Sequence, residues 1–125
     1  MLNVALVALG GALGSAARYG VGVAAGRWLG LGFPYGTLFV NVTGSFAMGA
    51  LVELLARHLS ASPELRLFLA VGVLGGYTTF SSFSLDAVAL WEGSSHLSAL
   101  VYVALSMIVG LLALAAGMAL VRHFG

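Results

Sequence analysis

The 125-residue chain is 61% hydrophobic and 7% charged, with a formal net charge of +1 and a mean hydropathy of +1.08. Soluble domains carry about a quarter charged residues, so five basic and four acidic side chains cannot coat a water-exposed globule, and the chain must use lipid as its solvent. The near-neutral balance excludes a nucleic-acid role, which needs a basic face, and the absence of cysteine excludes disulfides, thiol ligands and thiol nucleophiles.

A helix that crosses a bilayer needs about 20 mostly apolar residues, and four stretches meet that requirement. The first covers residues 2–29. No positive residue precedes its apolar run, and the run continues past Arg18, which argues for a retained helix and against a cleaved signal peptide. Gly10 and Gly14, and Gly22 and Gly26, form G-x-x-x-G pairs that let helices approach closely, as do Gly72 and Gly76 further on. Arg18 is the next i+4 step along the Gly10/Gly14 face. Its guanidinium therefore points into the bundle or snorkels to the interface; an arginine at mid-bilayer costs roughly 2.5–3.5 kcal/mol on insertion scales, which favours snorkelling in a structural role.

The second stretch covers residues 33–53 and is entered through Pro34, with Asn41 in its middle and Thr37 and Ser45 one turn to either side. The third covers residues 63–91, with Ser62 as N-cap and Pro63 at the first helical position. Gly72, Gly75, Gly76, Thr78, Thr79, Ser81, Ser82 and Ser84 crowd its middle. Adjacent glycines followed by two β-branched threonines are poor helix formers and predict a break near Gly75 to Thr79. Unwound backbone survives at membrane depth only inside protein or along a cavity. Its freed carbonyls suit a cation such as Na⁺; tight packing against the glycines explains the same residues equally well. The fourth stretch, residues 96–121, carries no fixed charge. The short connections hold most of the charge, and residues 1–125 read as a single membrane domain.

With four spans, one side holds Arg57, Arg66 and Arg122 and the other Arg18 and Arg27. Three against two is almost no positive-inside bias. A chain without a preferred orientation can insert both ways, and two opposed copies can pair as an antiparallel homodimer; a dominant first helix would instead impose one orientation.

No enzyme constellation is visible. His58, His96 and His123 stand at span ends without metal-ligand spacing. The serines of the third span have no His or Lys nearby to act as base, and the glycines at 10–14 do not follow a strand as a nucleotide loop would. What remains is Asn41, Phe80 and Phe83 three apart, and Tyr102 and Ser106 four apart. Singly, such amides and hydroxyls are helix glue and such phenylalanines are packing. As a set they offer hydrogen-bond donors and electropositive ring edges, with Asp86 the one acid among them. That lining suits a small, strongly hydrated anion whose shell must be replaced by donors.

Three motifs then coincide. Gly11-Ala12-Leu13-Gly14-Ser15-Ala16-Ala17-Arg18-Tyr19, Pro34-Tyr35-Gly36-Thr37-Leu38-Phe39-Val40-Asn41-Val42-Thr43-Gly44-Ser45-Phe46 and Gly75-Gly76-Tyr77-Thr78-Thr79-Phe80-Ser81-Ser82-Phe83-Ser84 resemble, in order and spacing, the first-, second- and third-helix motifs of the Fluc (CrcB) fluoride channel family. The resemblance covers essentially the whole chain. It implies an all-α integral membrane protein with four transmembrane helices, the third broken mid-membrane, assembled as a dual-topology antiparallel homodimer in the inner (plasma) membrane. It also implies passive fluoride export that relieves fluoride toxicity, around a central Na⁺ that is structural and not transported. By position, Phe80 and Phe83 resemble the phenylalanines whose edges meet fluoride and Asn41 the pore amide. Thr79 and Ser82 resemble pore hydroxyls, and Tyr102 and Ser106 the start of a polar track on the fourth helix. Gly75 and Thr78 resemble the backbone-carbonyl ligands of the Na⁺, two from each subunit. Three departures stand out: Ser82 where threonine is common, Asp86 where glutamate is common, and Gly110 where the polar track often continues. A multidrug exporter of the small multidrug-resistance type needs a carboxylate in the first span, which has none. A packing subunit without transport leaves the clustered threonines and serines unexplained.

Overall fold

Across lipid, a backbone satisfies its polar groups only as a helix or a closed barrel. The structure, a computed structural model, describes residues 1–57, 62–93 and 95–124, and these are helical, with no strand among them. His58 and the rest of residues 58–61 lie outside the described residues, as do Ser94 and Gly125. The described residues hold four helices long and apolar enough to cross a membrane: Leu2–Leu29, Tyr35–Arg57, Pro63–Gly93 and His96–Phe124. The first span ends at Gly30, whose φ of 83° favours a residue without a side chain. Ser62 caps the third span, accepting the Leu65 N–H at 3.2 Å, with Pro63 at the first helical position. Ser95 caps the fourth in the same way, accepting the Ser98 N–H at 3.2 Å.

Four span ends differ from the hydropathy reading, among them that of the third, which runs on to Gly93. Phe33 and Pro34 precede the second helix, whose Leu38 N–H bonds back to the Pro34 carbonyl at 3.2 Å. That helix also runs on to Arg57, and the fourth to Phe124, because their charged ends pair with one another. Glu53, only 8% exposed, accepts from Arg122 and lies 3.8 Å from Arg57 Nε. A buried carboxylate needs such partners, and here Arg122 ties the second span to the fourth.

The spans pack through glycine. The first lies on the first half of the third, where a Cβ at Gly14 would overlap the Val73 carbonyl. The second lies along the fourth, where a Cβ at Gly117 would overlap the Phe46 carbonyl. Close backbone approach is how membrane helices associate when lipid removes the hydrophobic drive.

The third span is not uniform. After one α-helical turn, residues Leu67–Leu74 are π-helical, and the Gly75 N–H reaches the Ala70 carbonyl five residues back. Such stretches are rare and cluster at functional sites. Gly75–Tyr77 is helical, Thr78 is extended with φ −85° and ψ 158°, and helix resumes over Phe80–Gly93.

Candidate functional site

The Thr78–Thr79 joint is held by side chains on both sides. Thr79 caps the helix that follows: its Oγ1 accepts the Ser82 N–H at 3.1 Å and lies 3.3 Å from Ser81 Oγ, the bonding a hydroxyl cap makes to the third helical residue. The Thr78 N–H and Oγ1 both donate to the Leu74 carbonyl at 3.0 Å. Across the interface, Asn41 Nδ2 donates to the Thr79 carbonyl at 3.0 Å and Asn41 Oδ1 accepts the Thr79 N–H at 2.8 Å. One amide side chain thus serves both polar groups of Thr79, which buried backbone requires.

This bonding decides which carbonyls are released. In a continuous α-helix the Thr79 N–H would bond the Gly75 carbonyl and the Ser82 N–H the Thr78 carbonyl. Here the first donates to Asn41 and the second to Thr79 Oγ1. Gly75 and Thr78 therefore present the carbonyls that lack these helical donors. Oxygen ligands suit a hard cation, so the donor set fits the Na⁺ that the motif resemblance assigns to these residues. Among the described residues no group of three or more His, Cys, Asp or Glu could hold a metal ion, so a cation here would rest on main-chain oxygens.

Asn41, Thr79, Phe80, Phe83 and Ser106 come together along a cleft of about 250 Å³, with Ser45, Thr78 and Met107 completing its lining. The Phe80 and Phe83 rings lie 5.7 Å apart at 49°, and Phe80 is 78% exposed. Ser106 Oγ is buried and has no hydrogen-bond partner among the described residues. Buried polar atoms are nearly always paired, so an orphan hydroxyl on a residue that lines a cleft is a candidate ligand contact. Unlike these, Tyr102 is fully buried behind the cleft. Its ring packs 5.3 Å from Phe83 and 5.5 Å from Phe33, and its hydroxyl donates to Asp86 Oδ2 at 3.4 Å. Ser82 lines a separate cleft of about 350 Å³ with Arg18, Thr37 and Thr79. Thr79 borders both.

Arg18 does not simply snorkel. Its Nε donates to the Gly76 carbonyl at 3.1 Å. Gly76 lies in the last turn before the joint, where carbonyls lose their intrahelical partners, and the guanidinium supplies one. The Gly10/Gly14/Arg18 face therefore lies along the third span from Phe68 to Gly76.

Residues 5–118 match the family described as CrcB-like protein, Camphor Resistance (CrcB). The chain belongs to this family. Its relatives include proteins named fluoride-specific ion channel FluC from Agrobacterium fabrum, 60% identical over 124 residues, and from Chelativorans sp., 56% identical over 122. A third, from Rhizobium meliloti, is 54% identical over 122 residues, and each alignment spans 98% of both chains. This CrcB-like chain is a multi-pass membrane protein from a family of channels, not of enzymes.

Several contacts of the CrcB-like fold were not readable beforehand. The Thr43–Tyr77 hydroxyl pair and the packing of Gly44 on Thr78 join residues more than 30 positions apart. Both lie inside the motifs, but spacing along one helix says nothing about a partner on another.

Proposed function

We propose that this chain is a subunit of a fluoride-specific ion channel, which lets fluoride leave the cell passively down its electrochemical gradient and so relieves fluoride toxicity. The observation that carries the reading is the orphan Ser106 hydroxyl, in a cleft shared with Asn41 and the Phe80 and Phe83 rings. Hydroxyl and amide hydrogens and electropositive ring edges can replace the hydration shell of a small anion. The names of the relatives support the same ligand. Phe80, Phe83, Asn41 and Ser106 would touch the ion, Thr79 and Tyr102 would hold those groups in place, and Ser82 and Arg18 would border its approach.

In this reading two oppositely inserted copies pair in the inner membrane, with the joint at membrane depth. The Gly75 and Thr78 carbonyls of both copies would hold one Na⁺ on the dimer axis, a structural charge that balances otherwise unpaired carbonyl oxygens. Liposomes loaded with fluoride or chloride test the function directly. Fluoride efflux without proton coupling and with chloride retained is the expected result. Equal release of both halides, or dependence on a proton gradient, would refute it.

A further inference from the structure

The second span holds the joint at more points than Asn41. Two residues beyond it, Thr43 Oγ1 lies 2.9 Å from the Tyr77 hydroxyl and donates to the Phe39 carbonyl at 2.7 Å. Thr43 has one hydroxyl proton and a carbonyl can only accept. That proton goes to Phe39, so Tyr77 donates its own to Thr43. Gly44 leaves room for the approach: a Cβ there would overlap Thr78 Cγ2 and lie 3.1 Å from Tyr77 Cδ2. Asn41, Thr43 and Gly44 thus meet Thr79, Tyr77 and Thr78, on both sides of the extended residue. The bonds that Thr78 itself makes run to Leu74 of its own span. They do not fix it against the second span.

We propose that the Tyr77 hydroxyl is a positioning group for the joint, holding the extended Thr78 segment closed on the second span, so that losing the hydroxyl lets the joint detach and its amides exchange. When the joint detaches, the Thr79 N–H and carbonyl leave Asn41, and the Gly75 and Thr78 carbonyls lose their fixed positions. A phenylalanine at position 77 keeps the ring against Gly44 but removes the tether on the N-terminal side of the joint. The consequence for a cation rests on the channel reading above; the holding of the joint does not.

The two levels separate in one set of variants of the full chain in lipid nanodiscs. Amide hydrogen exchange over residues 78–82 is expected to quicken roughly fivefold in Tyr77→Phe and in Thr43→Val, the size set by one neutral hydrogen bond. The double variant should exchange no faster than either, because both changes remove the same bond. Thr43→Ser keeps the hydroxyl and should restore the slow rate. Exchange at the parental rate in the single variants, or effects that multiply in the double, would overturn the proposal. The Na⁺ concentration giving half-maximal fluoride flux should rise roughly fivefold in Tyr77→Phe with flux at saturating Na⁺ unchanged, again the size of one hydrogen bond. Lower saturating flux with unaltered Na⁺ dependence would overturn the positioning role. A parental chain that passes no fluoride would overturn the channel reading, and the exchange rates would still decide the role of Tyr77.

Discussion

Asn41→Leu should destabilise the protein more than any other isosteric change along the cleft. The side chains are similar in volume, so packing changes little, but both bonds to Thr79, at 3.0 and 2.8 Å, disappear. Neither polar group of Thr79 can turn to a helical partner without rebuilding the joint. A buried group left unpaired costs about 1–3 kcal/mol; Thr79 is half-buried, so the loss for its two groups lies at the low end, about 2–3 kcal/mol. Set against a typical total of about 5–15 kcal/mol, that is a large fraction. Asn41→Asp separates the two bonds: the acceptor for the Thr79 N–H survives, while an oxygen replaces the donor facing the Thr79 carbonyl. Its cost should be small when the acid is protonated, because the carboxyl O–H can then donate to the Thr79 carbonyl, and should exceed that of leucine when ionised, when two oxygens face one another. Equilibrium unfolding of the micelle-embedded chain, titrated with a denaturing detergent, measures both. Asn41→Leu within about 0.5 kcal/mol of the parent, the range of neutral surface changes, would show that Thr79 finds other partners and would remove Asn41 as the keystone of the joint.

Three further changes probe the cleft and the assembly. Phe80→Ile and Phe83→Ile keep an apolar side chain but lose the ring edge, so fluoride flux should drop at least tenfold while unfolding shifts by about 1 kcal/mol or less at the 78%-exposed Phe80; unchanged flux in both would make the rings packing groups. Ser106→Ala removes a buried hydroxyl that has no partner, so the folded state should be unchanged or firmer by about 1 kcal/mol while flux falls, and a clear loss of stability would mean that the hydroxyl is bonded. Two or three lysines added at the C-terminus should bias insertion and lower flux, with recovery on co-expression of an oppositely biased copy; full activity of the biased chain alone would exclude the antiparallel pair.

The four spans were legible because lipid solvation leaves a coarse signal: runs of about 20 apolar residues with charges at their ends. The ends themselves were less so. Glu53, Arg57 and Arg122 looked like interfacial charges terminating two helices, yet Glu53 accepts from Arg122 across the two helices and lies one turn from Arg57 in its own. Hydropathy counts a charge as a stop, whereas a buried ion pair satisfies it inside the structure. Arg18 was open between pointing into the bundle and snorkelling, in a structural role either way. Its i+4 register with Gly10 and Gly14 gave the correct face, but the cost of burying a guanidinium pointed to snorkelling. The Gly76 carbonyl at 3.1 Å offsets that cost, and it is available because the helix ends one residue later. In the candidate site, Asn41, Phe80, Phe83 and Ser106 were singled out as a set and share a cleft, whereas Tyr102 is buried behind them and Ser82 faces another. Helical spacing fixes which side chains share a face, but not how deep each lies.

Asn41 also answers a question raised by its two expected uses, as structural amide and as donor to an ion. An asparagine side chain has two N–H donors and an oxygen with two lone pairs. Thr79 engages one donor and one lone pair, so one N–H is left on a residue that lines the same cleft as Ser106, whose hydroxyl is unpaired among the described residues. Both uses are compatible, and the first serves the second, because an amide pinned by two bonds presents its remaining hydrogen in a fixed direction. No arginine lines that cleft; Arg18 borders the neighbouring one and bonds Gly76. On the channel reading the ion would therefore meet neutral donors, which distinguish anions by the fit of replaced hydration, where a fixed positive charge would attract fluoride and chloride alike. A neutral lining also lets the ion leave, since no buried ion pair must be broken on exit. Selectivity and passage would then rest on the same feature, the rigidity of donors that Asn41 and the capped joint keep in place.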